Sequence, residues 1–146
     1  KFSKLDFRKF HPSGSLGTKL KTVEDLMLIG KKLPFINENL KMKKALKIIT
    51  NKKLGILIAI NNKKNTTGII TDGQIRRAIQ KNKDLQSLTV KKVMTKNPIH
   101  VDRDTLAVKA LSIMNLRKIT SLCVKGKNKK TIGVLHIHNI LEANVR

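Results

Sequence analysis

A turn between an apolar run and a basic helix is the clearest place for chemistry in this sequence. It reads GIITDGQIRRAI, from Gly68 to Ile79. The start of a helix presents unpaired backbone N–H groups and a partial positive charge, and both attract phosphate. Gly73 removes a side chain that would block close approach, while Arg76 and Arg77 add positive charge. The turn is therefore a candidate anion-binding site.

A helix cap explains the same turn without a ligand. Thr71 is followed three residues later by Gln74, the spacing of a capping box in which each side chain bonds the other residue's backbone N–H. Such a cap stabilises a helix by about 1 kcal/mol. Both interpretations stay open for Thr71, Asp72 and Gln74, which are the candidate ligand-binding residues of this turn.

A second turn, GVLHIHNILEAN, repeats this outline near the end of the sequence. Its candidate ligand-binding residues are Thr120, Ser121, His136, His138 and Asn139, together with His100 at an earlier strand start. His136 and His138 alternate along an extended segment and would face one side, but no third metal ligand is evident nearby. Because His136 replaces the capping Thr, we expect the cap to fail here. The second turn therefore predicts the more polar cleft, for an anion or a sugar, with a structural hydrogen-bond network of histidines as the alternative.

An internal repeat must position both turns. Shifting the chain by 65 residues overlays KALKIITNKKLGILIAI on KALSIMNLRKITSLCVK, and places Gly68 on Gly133. Each copy predicts a strand, a helix, two strands and a second helix. The first helices are predicted at 40–52 and 105–117, with Asn39 and Asp104 as N-caps. The expected fold class is mixed α/β (α+β), built from two copies of one unit.

Composition limits the classes of partner. The chain has 32 basic and 9 acidic residues, so its formal charge is +23, which would attract polyanions. It has no Trp or Tyr, and its four Phe all lie at or before position 35, so an aromatic platform for stacking bases is not expected. Abundant lysine spread along the chain indicates a solvated surface instead. We therefore expect no nucleic-acid partner.

The apolar segments indicate a packed core in a reducing compartment. The run LGILIAI is far shorter than the roughly 20 residues that span a bilayer, so no membrane partner is expected. A lone cysteine, Cys123, cannot form an internal disulfide, which fits a cytoplasmic setting. Its neighbours SLCVK read as a strand interior, which favours a small buried apolar residue over a reactive thiol.

The repeat resembles a pair of cystathionine β-synthase (CBS) motifs, also called a Bateman module. The motifs that carry the resemblance are VMTKNPIHV, KALSIMNLRKITSLCV and the two Gly-x-x-Thr and Gly-x-x-His turns. It implies a first motif at 22–84 and a second at 85–146, packed about a pseudo-two-fold axis with two ligand clefts. In that family the Thr of the turn touches phosphate and an Asp three residues later holds ribose hydroxyls. This chain has the neutral amides Gln74 and Asn139 at the Asp positions.

The segment FHPSGSLGTKL before the repeat is similar to the arabinose 5-phosphate isomerase family, which joins a sugar isomerase domain to a CBS pair. The resemblance implies that residues 1–21 are the end of an isomerase domain and a linker. It carries over one active-site residue, His11. The parent enzyme would interconvert D-ribulose 5-phosphate and D-arabinose 5-phosphate for Kdo and lipopolysaccharide synthesis, without a cofactor. We expect the present chain alone to lack isomerase activity.

The function implied by this resemblance is regulatory. The pair would sense an anionic small molecule, namely CMP-Kdo, a sugar phosphate or a nucleotide, and pass the signal to the isomerase domain of the same chain in a homo-oligomer. Two alternatives stay open. One is a structural or oligomerisation module, and the other is a general adenine-nucleotide sensor.

Overall fold

The computed structural model describes residues 20–81 and 84–143, so His11 lies outside the described residues. Six α-helices occur in these ranges: α1 (Val23–Leu26), α2 (Met42–Lys52), α3 (Asp72–Lys81), α4 (Val90–Val93), α5 (Ala107–Arg117) and α6 (Ile137–Glu142). The strands are β1 (Phe35–Asn37), β2 (Ile56–Ile60), β3 (Thr66–Thr71), β4 (Thr95–Lys96), β5 (His100–Asp102), β6 (Ser121–Lys125) and β7 (Thr131–His136). Short 3-10 helices cover Gly30–Lys32 and Leu85–Ser87. None of the described helices is long and apolar enough to cross a membrane.

The predicted repeat is confirmed in the register of the sheets. Phe35 pairs with Ile58 in a parallel β1–β2 ladder, and His100 pairs with Cys123 in the parallel β5–β6 ladder. Strands β2 and β3 form an antiparallel hairpin, as do β6 and β7, and both hairpins carry an irregularity at the equivalent position. The two copies therefore share one backbone, residue for residue, at the offset read from the sequence.

The two first helices end as predicted but begin two residues later than predicted. Asn39 and Asp104 are not their N-caps, since the helices begin at Met42 and Ala107. The leading N–H groups are satisfied by distant backbone instead. Met42 N donates to Leu88 O and Ala107 N donates to Lys21 O, both at 2.8 Å. Tertiary pairing thus replaces the side-chain cap that local sequence favoured.

Each copy contributes a segment to the packed core of the other. Leu85 and Val90 lie at the start of the second copy, yet both are buried in the core formed by the first copy. Val23 lies at the start of the first copy and is buried in the core of the second. Strand β4 extends the first sheet to the order β1-β2-β3-β4, beside a second sheet of order β5-β6-β7. The two sequence repeats are therefore interlocked rather than stacked.

Two equivalent glycines allow this exchange. A Cβ on Gly68 would lie 2.7 Å from the Thr95 carbonyl oxygen, and one on Gly133 would lie 3.0 Å from that of Leu28. The methionines that precede these carbonyls, Met94 and Met27, would lie still nearer. Only glycine leaves room for the exchanged segment to pair with the hairpin at these positions.

An apolar layer joins the two sheets across an approximate two-fold axis. Its buried residues are Leu33, Ile56, Ile58, Cys123 and Val134. Cys123 is 1% exposed, which confirms the prediction of a buried side chain, and burial raises the pKa of its thiol to about 12. Thr66 and Thr131, which are equivalent residues, meet with their hydroxyl oxygens 2.6 Å apart. Contact between equivalent residues is the arrangement that a pseudo-two-fold axis requires.

Candidate functional site

A cleft of about 290 Å³ lies beside the first turn, which ends β3 and begins α3. We call it the turn cleft. Its polar lining is Thr71, Gln74, Arg77, Thr95, Asn97 and Ser121. Three of the predicted ligand-binding residues, Thr71, Gln74 and Ser121, are therefore brought together. Because Ser121 belongs to the second copy, the cleft is built from both copies.

The capping box of the first turn is confirmed. Thr71 N donates to Gln74 Oε1 at 2.9 Å, and Gln74 N donates to Thr71 Oγ1 at 3.3 Å. Gln74 Nε2 also donates to the hydroxyl of Thr95, which ties the turn to the exchanged strand β4. The Gln74 amide thus acts as a structural link between two elements of the cleft wall.

Arg77 is the one cation among the described residues that line this cleft. Its guanidinium packs over Gly73, where a Cβ would lie 3.3 Å from Nη1. No carboxylate pairs with Arg77 within residues 20–81 and 84–143. A guanidinium beside a helix N-terminus suits a phosphate or carboxylate group, since its planar fork can bond two anionic oxygens at once. The sequence marked Arg76 and Arg77 equally, but only Arg77 lines the cleft.

Asp72 and Thr120 are two of the six predicted ligand-binding residues that lie outside the turn-cleft lining. Asp72 N donates to Gly55 O at 3.1 Å, at a position where Gly55 has φ of +68°. A Cβ at Gly55 would lie 3.1 Å from Asp72 Oδ2, so glycine suits this turn both in conformation and in space. In the second copy, Ile137 N donates to Thr120 O at 2.8 Å. Asp72 and Thr120 therefore hold equivalent turns in place.

The expectation that the second turn lacks a cap is wrong. His138 N donates to His136 Nδ1 at 3.1 Å, and His136 N donates to Asn139 Oδ1 at 2.9 Å. The rings of His136 and His138 lie 4.7 Å apart, as their alternation predicted. An imidazole nitrogen can accept from a helix N–H as a hydroxyl does, a substitution that sequence rules based on Ser, Thr, Asp and Asn overlook.

The expectation that the second turn has the more polar cleft is also wrong. Gly133 faces the Leu28 carbonyl as Gly68 faces that of Thr95, so Leu28 holds the position equivalent to Thr95 although the two are 67 residues apart. The 65-residue offset places Leu33 and Leu54 at the positions of Pro98 and Ile119. All three leucines pack on the apolar layer between the sheets. Leu33 is 7% exposed. Leucines therefore stand where the turn cleft has a threonine, a proline and an isoleucine. Glu142 takes the place of Arg77, which reverses the charge there.

His100 does not share a cleft with His136. Its Nδ1 donates to Pro98 O at 3.0 Å, so in the neutral ring Nε2 accepts from Thr131 Oγ1, at 2.9 Å. Thr131 begins β7 and His136 ends it. About 16 Å of extended strand therefore separates His136 from Thr131, the residue to which His100 is bonded. Burial lowers the pKa of His100, as does nearby Lys125, against the opposing hydrogen bond to Pro98.

His100 instead lines a larger cleft of about 670 Å³ at the hairpin ends of the two sheets. We call it the hairpin cleft. Its lysines are Lys91, Lys96, Lys125, Lys129 and Lys130. No group of three or more His, Cys, Asp or Glu side chains suited to a metal ion occurs in the described part of the chain.

Relatives of this chain include longer proteins. Arabinose 5-phosphate isomerase KdsD of Salmonella typhimurium is 39% identical over 145 residues, which cover 99% of this chain and 44% of the relative. The protein of the same name from Escherichia coli K12 is 37% identical over the same shares. The uncharacterized protein RP505 of Rickettsia prowazekii is 33% identical over 144 residues, again 99% and 44%. The chain thus spans less than half the length of these relatives.

Solved structures share the fold. The structure of CBSX2 in complex with AMP has a TM-score of 0.75 and 24% identity, covering 84% of this chain and 95% of that one. The CBS domain pair of protein MJ0100, in complex with 5′-methylthioadenosine and S-adenosyl-L-methionine, has a TM-score of 0.73 and 21% identity over 84% and 94%. The CBS domain family matches residues 23–81 and 90–146. Together with the interlocked repeats, these matches show that the chain belongs to the CBS domain family, as a tandem pair.

Proposed function

We propose that this chain is the regulatory, ligand-sensing CBS pair of an arabinose 5-phosphate isomerase, and that its turn cleft binds an anionic sugar or nucleotide. One observation carries the ligand-binding part. Thr71, Arg77 and Ser121, drawn from both copies, line one cleft that holds a single cation and several hydroxyls. The parent enzyme is inferred from the relatives, whose names state that activity.

The chemistry of the lining favours a phosphate or carboxylate group at Arg77. Thr71 and Ser121 hydroxyls suit sugar hydroxyls, and Ile56, Ile69 and Ile119 offer an apolar surface for a base or a sugar face. A volume of about 290 Å³ is at the lower end of small-molecule sites. CMP-Kdo is the first ligand to test, because it carries a phosphate and a carboxylate and is the end product of the implied pathway.

Regulation follows from where the cleft walls originate. The ligand would contact Thr71 of the first copy and Ser121 of the second, so it stabilises one relative placement of the two copies. Differential affinity for two placements is a coupling free energy that an attached domain can read. In the cytoplasmic homo-oligomer that we propose, that domain is the isomerase, and His11 belongs to its site. Residues 1–146 alone are then inactive, and turnover of arabinose 5-phosphate by this chain would refute that division of roles.

Thermal shift with two arginine variants tests the ligand site. Wild type, Arg77→Gln and Arg76→Gln are compared with CMP-Kdo, arabinose 5-phosphate and AMP. A ligand at 100 times its Kd adds about 2.7 kcal/mol to the stability of the protein. We expect a shift for wild type and Arg76→Gln and about a tenfold or greater loss of affinity for Arg77→Gln, since a charge-assisted bond contributes about 1.5–3 kcal/mol. Equal responses of all three proteins would refute the site, and a response to AMP alone would favour the adenine-nucleotide sensor.

A structural module is the second candidate, and two observations favour it. Gln74 and Asn139 are both engaged in helix caps, so neither amide is poised for a ribose. Leu116 on α5 is 82% exposed, which suits a contact between two chains in a dimer. Absence of any ligand response, together with a dimer that dissociates in Leu116→Lys, would favour this function.

A further inference from the structure

The hairpin cleft adjoins the turn cleft, with which it shares Asn97 and Pro98, and differs from it in size and charge. It lies where the β2–β3 and β6–β7 hairpins of the two copies meet, and its five lysines face one glutamate, Glu38. The hairpins are joined by backbone, because Thr66 N donates to Lys129 O at 2.9 Å. The Thr66–Thr131 contact lies beside this bond. The concave shape is therefore held by hydrogen bonds rather than by mobile side chains alone.

The lysines reach this cleft from separate elements. Lys91 belongs to α4, Lys96 to β4 and Lys125 to the end of β6, while Lys129 and Lys130 belong to the β6–β7 hairpin. Lys125 is paired with Asp102 at 3.5 Å. No carboxylate pairs with the other four within residues 20–81 and 84–143. Like charges around one concave space repel each other, and a bound anion would relieve that repulsion.

Neutral groups complete the lining. Asn61, Asn65 and Thr67 come from the first hairpin, and His100 stands in the wall through its bond to Thr131. Amides and hydroxyls of this kind recognise hydroxyls or ring nitrogens of a ligand. Among the described residues, no aromatic residue other than His100 lines the cleft, so this part of the chain lacks the stacking contacts that hold single-stranded nucleic acid there.

We propose that the hairpin cleft is a second anion-binding site, for a small molecule that carries two or more phosphate groups. Cations that approach from α4, β4 and the second hairpin can each bond a different anionic group, whereas a single phosphate would leave most of them unpaired. The volume of about 670 Å³ lies within the range of small-molecule sites. Because both hairpins form the wall, occupancy would hold the two copies together.

Titration of the 146-residue chain with inorganic pyrophosphate tests the site. The titration is done in the Arg77→Gln background, so that the turn cleft cannot contribute, and is followed by calorimetry and by NMR of the His100 ring. We expect saturable binding with a shift of the His100 resonances. Lys96→Gln/Lys130→Gln should weaken binding about tenfold or more, as loss of charge-assisted bonds implies. The control Lys44→Gln/Lys109→Gln removes the same charge from exposed helix positions and should leave Kd within about twofold.

Three results would contradict the proposal. The absence of a saturable shift at His100 would overturn the proposal, because the ligand would then not occupy this cleft. Equal weakening by both double variants would also overturn it, because binding would then depend only on net charge. An RNA oligonucleotide that binds in a Lys96- and Lys130-dependent way while pyrophosphate does not would overturn the small-molecule assignment. Well-dispersed amide spectra of each variant establish that it is folded. The result does not depend on the turn-cleft proposal, because Arg77 is replaced by Gln in every protein that is titrated.

Discussion

The two strand-to-helix turns have the same backbone and opposite surroundings. The side chains of Thr71 and His136 each accept a hydrogen bond from an N–H of the following helix. The backbone N–H of each residue donates to the side-chain amide oxygen three residues later. Beside Thr71 lie Thr95 and Arg77, whereas the second turn has Leu28 and Glu142 at those positions. Duplication of a unit thus preserves what the fold needs, while one copy keeps a polar cleft and the other has aliphatic side chains at the equivalent positions.

The largest expected difference between the two sides is in core packing. Leu33→Ala removes a buried side chain beside the second turn and should lower the free energy of unfolding by about 2–3 kcal/mol. Pro98→Ala, at the equivalent position beside the open cleft, should cost about 1 kcal/mol or less, mainly through the unfolded chain. Urea denaturation measures both. Similar losses would mean that the two sides are filled alike.

The helix caps should contribute equally on the two sides. Thr71→Val and His136→Val each remove the acceptor for a helix N–H, so each should lower the free energy of unfolding by about 1 kcal/mol. Chemical denaturation compares the two variants under one condition. With a ligand present, only the Thr71 variant should lose ligand-induced stabilisation. A much larger loss for Thr71 without ligand would contradict the equivalence of the caps.

The smallest expected difference is in pH dependence. Burial lowers the pKa of His136 and nearby His138 lowers it further, so the unfolded chain gains a proton at higher pH than the folded one. Stability is therefore fully present above the unfolded pKa of about 6.5 and is lost as pH falls through the folded pKa. His136→Asn, which keeps a capping oxygen, should flatten the decline of the urea midpoint between about pH 7 and pH 5. An unchanged decline would show that His136 does not contribute to it.

The sequence predicted the repeated backbone because its periodic apolar positions and paired glycines are local signals. The 65-residue offset holds from β1 to α6. What it did not predict depends on contacts between distant residues. Met42 N donates to Leu88 O only when the exchanged segment is docked, and this long-range bond is why Asn39 is not the cap that the local sequence predicts. His136 looked like a broken cap because imidazole acceptors are rare at this position.

The site was partly predictable for the same reason. Thr71 and Gln74 could be found from the turn itself, and Ser121 from its strand. The aliphatic surroundings of the second turn, Leu28 and Leu33, could not be found from the sequence, because only the fold shows which turn these residues approach. Arg77 and Arg76 are adjacent in sequence, and their helix position alone decides which one lines the cleft.

NMR mapping of a ligand titration tests directly which of the two turns binds the ligand. Labelled protein is titrated with CMP-Kdo, and amide shifts are followed at both turns. We predict saturable changes at Thr71, Gln74, Arg77 and Ser121, with His138 and Asn139 largely unmoved. Changes centred on His136 and Asn139, or none at either turn, would contradict the assignment of ligand binding to the first turn.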